Sequence, residues 1–329
     1  MQLVPLAMLT AGLAWVSFPA VSRCETDVTE PSVRFIEVDA GVKLEVLDWD
    51  GNGPYLVLLT GLGNTAHVYS HFAHQFTDRF HVIAITRRGF GHSSRPARGY
   101  DVATRARDDI RVLDALKIAK AVFVGHSIAG DELSKLGGDY AERVVKLVYL
   151  DSVDYGAFGA VLKKTPLPPP PALSAAEEEF VTGNVAGMAA LNVRSGGVRW
   201  PDEEILQHVK TEATRRGVTR NGESTPYQAT QDLCQPADYA RIRAPVLAIY
   251  DVITRESRMP YYWDLDQAQK EEYDRFAANY QAWLKDARQR FRIGVKHARI
   301  VELEKFHHHI FIRDEAVVAQ EVRKFLLEK

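Results

Sequence analysis

Residues Ala121 to Leu136 read AVFVGHSIAGDELSKL, and the order of residue types in that stretch decides the fold. Ala121 to Val124 are apolar and partly β-branched, the composition of a buried strand. Gly125-His126-Ser127-Ile128-Ala129-Gly130 follows, and after it a run with helical character. A strand, a turn of small residues and a helix, with serine at the apex, make a nucleophile elbow. The turn is so tight that the residues two before and two after the serine must be small. Here they are Gly125 and Ala129; the strict pattern carries glycine at the second place, and alanine still meets the steric demand. Strain lifts the Ser127 hydroxyl clear of the sheet, and the helix N-terminus behind it favours developing negative charge. Taken alone, the six residues also fit an ordinary strand–turn–helix junction, where Gly and Ser are common.

Outward from the elbow, the chain alternates strands and helices. Val33 to Val38 and Val42 to Trp49 flank Asp39-Ala40-Gly41 and predict an antiparallel hairpin. Tyr55 to Leu59, His81 to Thr86, Val144 to Leu150, Pro245 to Tyr250 and Ala298 to Leu303 are apolar runs of the kind buried in parallel sheets. Between them the pattern predicts a helical stretch to about Phe76 and a helix capped by Asp101 running to about Leu116. It also predicts an elbow helix ended by Gly137-Gly138, an amphipathic helix from Gln267 to Arg290, and a last helix from Ala316 to Leu327. From Val153 to Arg243 no strand pattern occurs. Ser174 with Glu177 forms a capping box there, and Pro201-Asp202-Glu203-Glu204 opens a further helix. Pro166 and Pro168 to Pro171 read as a stiff connector in preference to a docking segment for a partner. The fold class expected is α/β: a mostly parallel eight-stranded sheet with helices on both faces and an inserted helical cap. The core is expected at residues 31–152 and 244–329, and the cap at 153–243.

The 329 residues are 46% apolar and 26% charged, with a net charge of −2, which gives no electrostatic case for nucleic acid or an anionic surface. Leu3 to Val21 carry no charge and are followed by Ser22, Arg23 and a polar stretch. Residues 1–22 therefore read as a cleaved export signal, with a periplasmic or secreted product and no stable membrane partner; an uncleaved anchor is the alternative. Cys24 and Cys234 are the only cysteines. They would form one disulfide or remain two unrelated thiols.

Three motifs carry a resemblance to a known family: the elbow GHSIAG, TGLGNT directly after the third strand, and RRGFGHSS after the fourth. In this order and on these elements they resemble the α/β-hydrolase superfamily with a helical cap, over about Val33 to Leu327. The resemblance implies a serine nucleophile, Ser127, and an oxyanion hole built from the backbone N–H groups of Ile128 and Leu62. Thr60 stands where the family usually has histidine. The resemblance places the base just after the last strand, at Lys305-Phe306-His307-His308-His309-Ile310-Phe311, where His308 best fits the spacing to Ile310-Phe311. His126 is read as structural. For the acid, the commoner family position follows the PVLAIY strand, where Thr254 occupies the expected place and Asp251 comes early. Other members take it from the end of the strand after the elbow, here Asp151. Asp151 is placed first, Asp251 is the alternative, and Glu256 comes third.

A serine hydroxyl needs a base, an orienting carboxylate and oxyanion donors to attack a carbonyl at neutral pH. The implied reaction is cleavage of a small-molecule carboxylic ester with a small to medium apolar acyl group, without cofactor or metal. The same residues would serve amide, peptide or carbon–carbon bond hydrolysis, or a perhydrolase. Epoxide and halide chemistry in this fold needs an aspartate where this chain has serine. Three adjacent histidines also raise a metal site, but successive side chains diverge and no acidic partner stands at ligand spacing. Gly61-Leu62-Gly63-Asn64-Thr65-Ala66 with Arg87 and Arg88 fits a dinucleotide fingerprint, though after the third strand rather than the first. A non-catalytic binding protein on the same scaffold is the remaining alternative. Phe158, Phe180, Met188, Leu191, Trp200 and Tyr227 are candidates to line an acyl pocket or simply to pack the cap.

Overall fold

Alternate residues of each central strand enter opposite faces of one sheet, and both faces are covered. That is why these strands read as unbroken apolar runs. The computed structural model describes residues 30–156, 168, 171–172, 174, 184–210, 225–252, 259–304 and 307–328. Its strands are β1 (Ser32–Asp39), β2 (Val42–Asp48), β3 (Tyr55–Leu59), β4 (His81–Thr86), β5 (Ala121–His126), β6 (Val144–Leu150), β7 (Val246–Asp251) and β8 (Arg299–Leu303). They form one sheet in the order β1-β2-β4-β3-β5-β6-β7-β8. The β1–β2 and β2–β4 pairs are antiparallel, and every other pair is parallel. The parallel strands bring their C-terminal ends to one edge, where the elbow lies.

One face of the sheet packs Val57, Phe123, Leu147 and Ala248 against α1 (Val102–Ala115), α2 (Ala129–Asp139) and α6 (Gln267–Gly294). The other packs Leu58, Val124, Val148 and Ile249 against Phe72, Phe76, Phe311 on α7 (Ile310–Arg313) and α8 (Glu315–Leu327). Each fully buried Val, Leu, Ile or Phe side chain stabilises the fold by about 1.5–3 kcal/mol. Asp101 caps α1 through its carboxylate and the Thr104 N–H at 2.9 Å.

Two expectations change. The stretch to Phe76 is not an α-helix but two short 3₁₀ turns, Ala66–Tyr69 and Phe72–Gln75. The Ser70 hydroxyl donates to the His67 carbonyl at 2.7 Å, a local bond that competes with helical pairing. Gly137 and Gly138 do not end α2, which runs through them to Asp139. Gly137 serves packing: a Cβ there would come within 2.9 Å of Leu147 Cδ1.

Between β6 and β7 the described residues form α3 (Val185–Gly196), α4 (Asp202–Lys210) and α5 (Pro226–Asp232), with a 3₁₀ turn at Tyr239–Arg241. None of these described residues is in a strand. Met188 and Ile205 are buried between α3 and α4, with Leu191 and Trp200 packed against them. The leader segment, Cys24, the Ser174–Glu177 box, Phe158, Phe180 and Glu256 involve positions outside the described residues. Among the described residues no helix is long and apolar enough to cross a membrane. Cys234 is in no disulfide among the described residues, and its thiol donates to the Thr230 carbonyl at 3.4 Å.

Candidate active site

The turn after β5 forces Ser127 to φ 56°, a left-handed conformation that costs a non-glycine residue roughly 1–3 kcal/mol. The small residues around it are needed sterically. A Cβ at Gly125 would sit 3.0 Å from the Ala129 Cβ and from Leu133 Cδ1, and one at Gly130 would strike Ser152. The strained backbone is held at both of its polar groups. The Ser127 N–H donates to the Leu150 carbonyl at 3.2 Å, and its carbonyl accepts from the Gly130 N–H at 3.0 Å and from the Ser152 hydroxyl.

The Ser127 hydroxyl meets His308 Nε2 at 2.8 Å, and His308 Nδ1 meets Asp151 Oδ2 at 2.7 Å. Asp151 sits one residue past β6 at φ 41°. Its other oxygen accepts from the Asp251 backbone N–H and from the Arg288 guanidinium, both at 3.2 Å. Arg288, on α6, also donates to the Asp251 carbonyl at 2.6 Å and lies over the Tyr250 ring, 4.7 Å from its centroid. The Asp251 carboxylate faces elsewhere. It is buried, and neither oxygen has a hydrogen-bond partner among the described residues. Burial first, and the Asp151 charge second, push it up to about 7; the His307 backbone favours the charged form without a well-directed bond.

The other histidines divide the remaining work. His126 Nε2 lies 2.9 Å from the His308 carbonyl, with its ring buried, and burial holds it well below the usual histidine range. His307 Nε2 lies 2.5 Å from the Gly196 carbonyl at the end of α3. The ring of His309 packs against His126 and Trp200, and burial also holds it well below the usual range. So the three consecutive rings point to three different partners. The Tyr155 hydroxyl lies 3.2 Å from Ser127 Oγ, and the Tyr155 N–H donates to Asp131 at 3.1 Å.

The TGLGNT loop lies beside the elbow. A Cβ at Gly61 would come within 2.7 Å of His126 Nδ1, so only glycine allows this approach. The backbone N–H groups of Leu62 and Ile128 donate to no protein acceptor among the described residues. Arg87 donates to the Thr60 carbonyl at 2.9 Å and the Gly61 carbonyl at 3.2 Å, and it grips Glu132 with two bonds of 3.0 and 2.6 Å. Arg88 grips Asp108 with bonds of 2.7 and 2.8 Å. Both arginines are buried. They brace the loop and the neighbouring turn and are not presented to a phosphate, which removes the dinucleotide reading of these residues. From α4, the Glu204 carboxylate reaches the loop at Asn64 and Thr65. Tyr227 lies over Gly63, where a Cβ would sit 3.4 Å from its ring.

Arg288, Tyr155 and Glu204 are not marked as site residues by any motif. Arg288 and Glu204 lie in ordinary helix patterns far along the chain from their partners. Tyr155, four residues beyond Asp151, is the one that proximity to a strand end offers for scrutiny.

Over residues 56–320 the chain matches the model of a family described as the alpha/beta hydrolase family. Among curated proteins it is 35% identical over 114 residues to the Caulobacter segnis protein named "Putative carbamate hydrolase RutD", covering 34% of this chain and 43% of that one. It is 29% identical over 105 residues to 2-(acetamidomethylene)succinate hydrolase of Mesorhizobium japonicum, covering 32% and 38%. The matches thus span about two fifths of the length of these relatives. Among solved structures, a "probable hydrolytic enzyme" from Pseudomonas aeruginosa PAO1 superposes with a TM-score of 0.62 over 91% of this chain and 95% of that one, at 18% identity. The strand order, the elbow at the C-terminal edge of the sheet and the length of the family match lead to one conclusion: the chain belongs to the alpha/beta hydrolase family.

Proposed function

We propose that the protein is a serine hydrolase that cleaves carboxylic esters of small to medium apolar acyl groups through an acyl-enzyme on Ser127. The observation that carries this reading is the unbroken line from Ser127 Oγ to His308 Nε2 and from His308 Nδ1 to Asp151, at 2.8 and 2.7 Å. His308 takes the serine proton as Ser127 Oγ attacks the carbonyl carbon. Asp151 accepts from Nδ1–H, fixes the tautomer and stabilises the imidazolium. The Leu62 and Ile128 N–H groups receive the oxyanion, and His308 then protonates the leaving alcohol. Water repeats the sequence on the acyl-enzyme and frees the acid. Asp251 contributes to this scheme through its backbone N–H, and Arg288 through its charge, by steadying Asp151.

A second reading keeps the same residues and changes the bond. One relative is named for carbamate hydrolysis, which makes a carbamate the first substrate to compare with an ester. The test of the shared mechanism is a fluorophosphonate, with the adduct mapped by mass. A single adduct on Ser127 in the native protein, absent in His308→Ala, is the expected result. No adduct on folded protein would remove the serine-hydrolase reading and leave a ligand-binding role on this scaffold. Turnover of aryl acetates and butyrates against aryl carbamates then separates the two bonds.

A further inference from the structure

Glu204 is fully buried, and its carboxylate gathers bonds from three residues. Oε1 accepts from the Asn64 side-chain amide and the Thr65 N–H, both at 3.0 Å, and from His208 Nε2 at 2.9 Å. Oε2 accepts from the Thr65 N–H at 3.3 Å and from the Thr65 hydroxyl. A carboxylate taken out of water is tolerated only with such a set of donors. Asn64 and Thr65 stand two and three residues after Leu62, in a loop whose other fixed points lie beneath it. Those include Arg87 on the Thr60 and Gly61 carbonyls at 2.9 and 3.2 Å, the Asn64 N–H on the Gly61 carbonyl at 3.2 Å, and Thr86 accepting from the Ala66 N–H at 2.9 Å. Without Glu204 the upper side of the loop would lose partners for one backbone and two side-chain donors at once. The same α4 region also touches the other side of the site. The ring of Trp200, just before α4, lies 5.1 Å from the His208 ring and 5.6 Å from the ring of His309, the neighbour of His308.

We infer that Glu204 is a positioning residue for the oxyanion hole: its carboxylate, supplied by the inserted helices, holds the 61–65 loop so that the Leu62 N–H faces the reacting carbonyl. This rests on the serine-hydrolase reading. It means that the insertion is a structural part of the hole and not only a wall of the substrate cleft. Displacing α4 releases the loop, so substrate access and oxyanion stabilisation are coupled.

The experiment compares the native full-length protein with Glu204→Gln and Glu204→Ala by two readouts. One is steady-state turnover of an aryl acetate. The expected result is a fall in kcat of about 10- to 100-fold for Glu204→Ala, with KM within about threefold, and a smaller fall for Glu204→Gln, which keeps one acceptor oxygen. The other is amide hydrogen exchange. Faster exchange confined to residues 61–66, with β3 still protected, is expected in both variants. Unchanged exchange in this loop, or an unchanged kcat, would overturn the inference. So would exchange that rises alike through the loop, α4 and the sheet, since that marks a general stabilising role. Should Glu204→Ala not fold, Glu204→Gln decides by the same two criteria. If the native protein turns over no ester, the ester-cleaving reading fails on that result, and the exchange comparison still decides whether Glu204 holds the loop.

Discussion

Asp151 and Asp251 end adjacent parallel strands, and the structure gives them opposite surroundings. Asp151, at φ 41°, turns its carboxylate to His308 and has its second oxygen filled by a backbone N–H and by Arg288. Asp251 stays in β7, its buried carboxylate has no hydrogen-bond partner among the described residues, and it offers its backbone to the site. The comparison teaches that a strand-end carboxylate is selected by its donors. The Asp151 oxygens are taken up by a guanidinium, a backbone N–H and an imidazole, whereas burial favours the neutral form of Asp251.

The largest effect that tests this contrast is expected from Asp151→Asn. The amide would orient His308 in the wrong tautomer, and kcat should fall about 10³- to 10⁴-fold with the Ser127 environment otherwise intact. A variant within tenfold of the native enzyme would show that Asp251 can take over and would break the comparison. Next comes Arg288→Gln, which removes the charge next to Asp151. It should lower kcat about tenfold, by loosening the Asp151–His308 pair, with KM nearly unchanged. An unchanged kcat would confine Arg288 to holding the strand ends together and packing on Tyr250.

The smallest effect on activity is expected from Asp251→Asn, within a few-fold, because the backbone N–H remains. Its consequence is in stability. With its pKa raised to about 7 in the folded protein, Asp251 keeps a proton that the unfolded chain has lost above about 4. Its contribution to stability is therefore fully present below about pH 4 and is lost as pH rises to about 7. The loss amounts to at most roughly 4 kcal/mol. Asp131, pushed up to about 7 mainly by burial, acts in the same window. Urea unfolding at pH 5 and pH 8 should show the native protein losing more stability over that range than Asp251→Asn. Parallel losses would mean that Asp251 is ionised in the folded protein throughout.

The sheet was legible because burial on both faces leaves a mark on every strand residue, as in Tyr55–Leu59 and Val144–Leu150. Ser127 was legible because the tight turn around it admits few side chains. The choice between Asp151 and Asp251 was not, because both follow apolar strands. What separates them is a backbone dihedral and an arginine 137 positions further along the chain. Arg87 and Arg88 could be fitted to a dinucleotide fingerprint because sequence shows their charge and not the buried carboxylates that occupy it. Glu204 was visible only as one of three acidic residues opening a helix, a place where its charge suits the helix terminus. Gly137 and Gly138 resembled a stop signal because a glycine required by a close helix–sheet approach has the same letter as one required by a left-handed turn.

Ser152 stands next to Asp151 and donates to the Ser127 carbonyl, while Asp151 reaches the Ser127 side chain through His308. The four residues therefore close a circuit rather than a line: one dipeptide holds Ser127 by its main chain and, through the imidazole, by its hydroxyl. In an open series, thermal displacements of successive members add. In a circuit, a shift of the β6 tip carries both attachments together, and the gap between hydroxyl and imidazole changes less than either strand end moves.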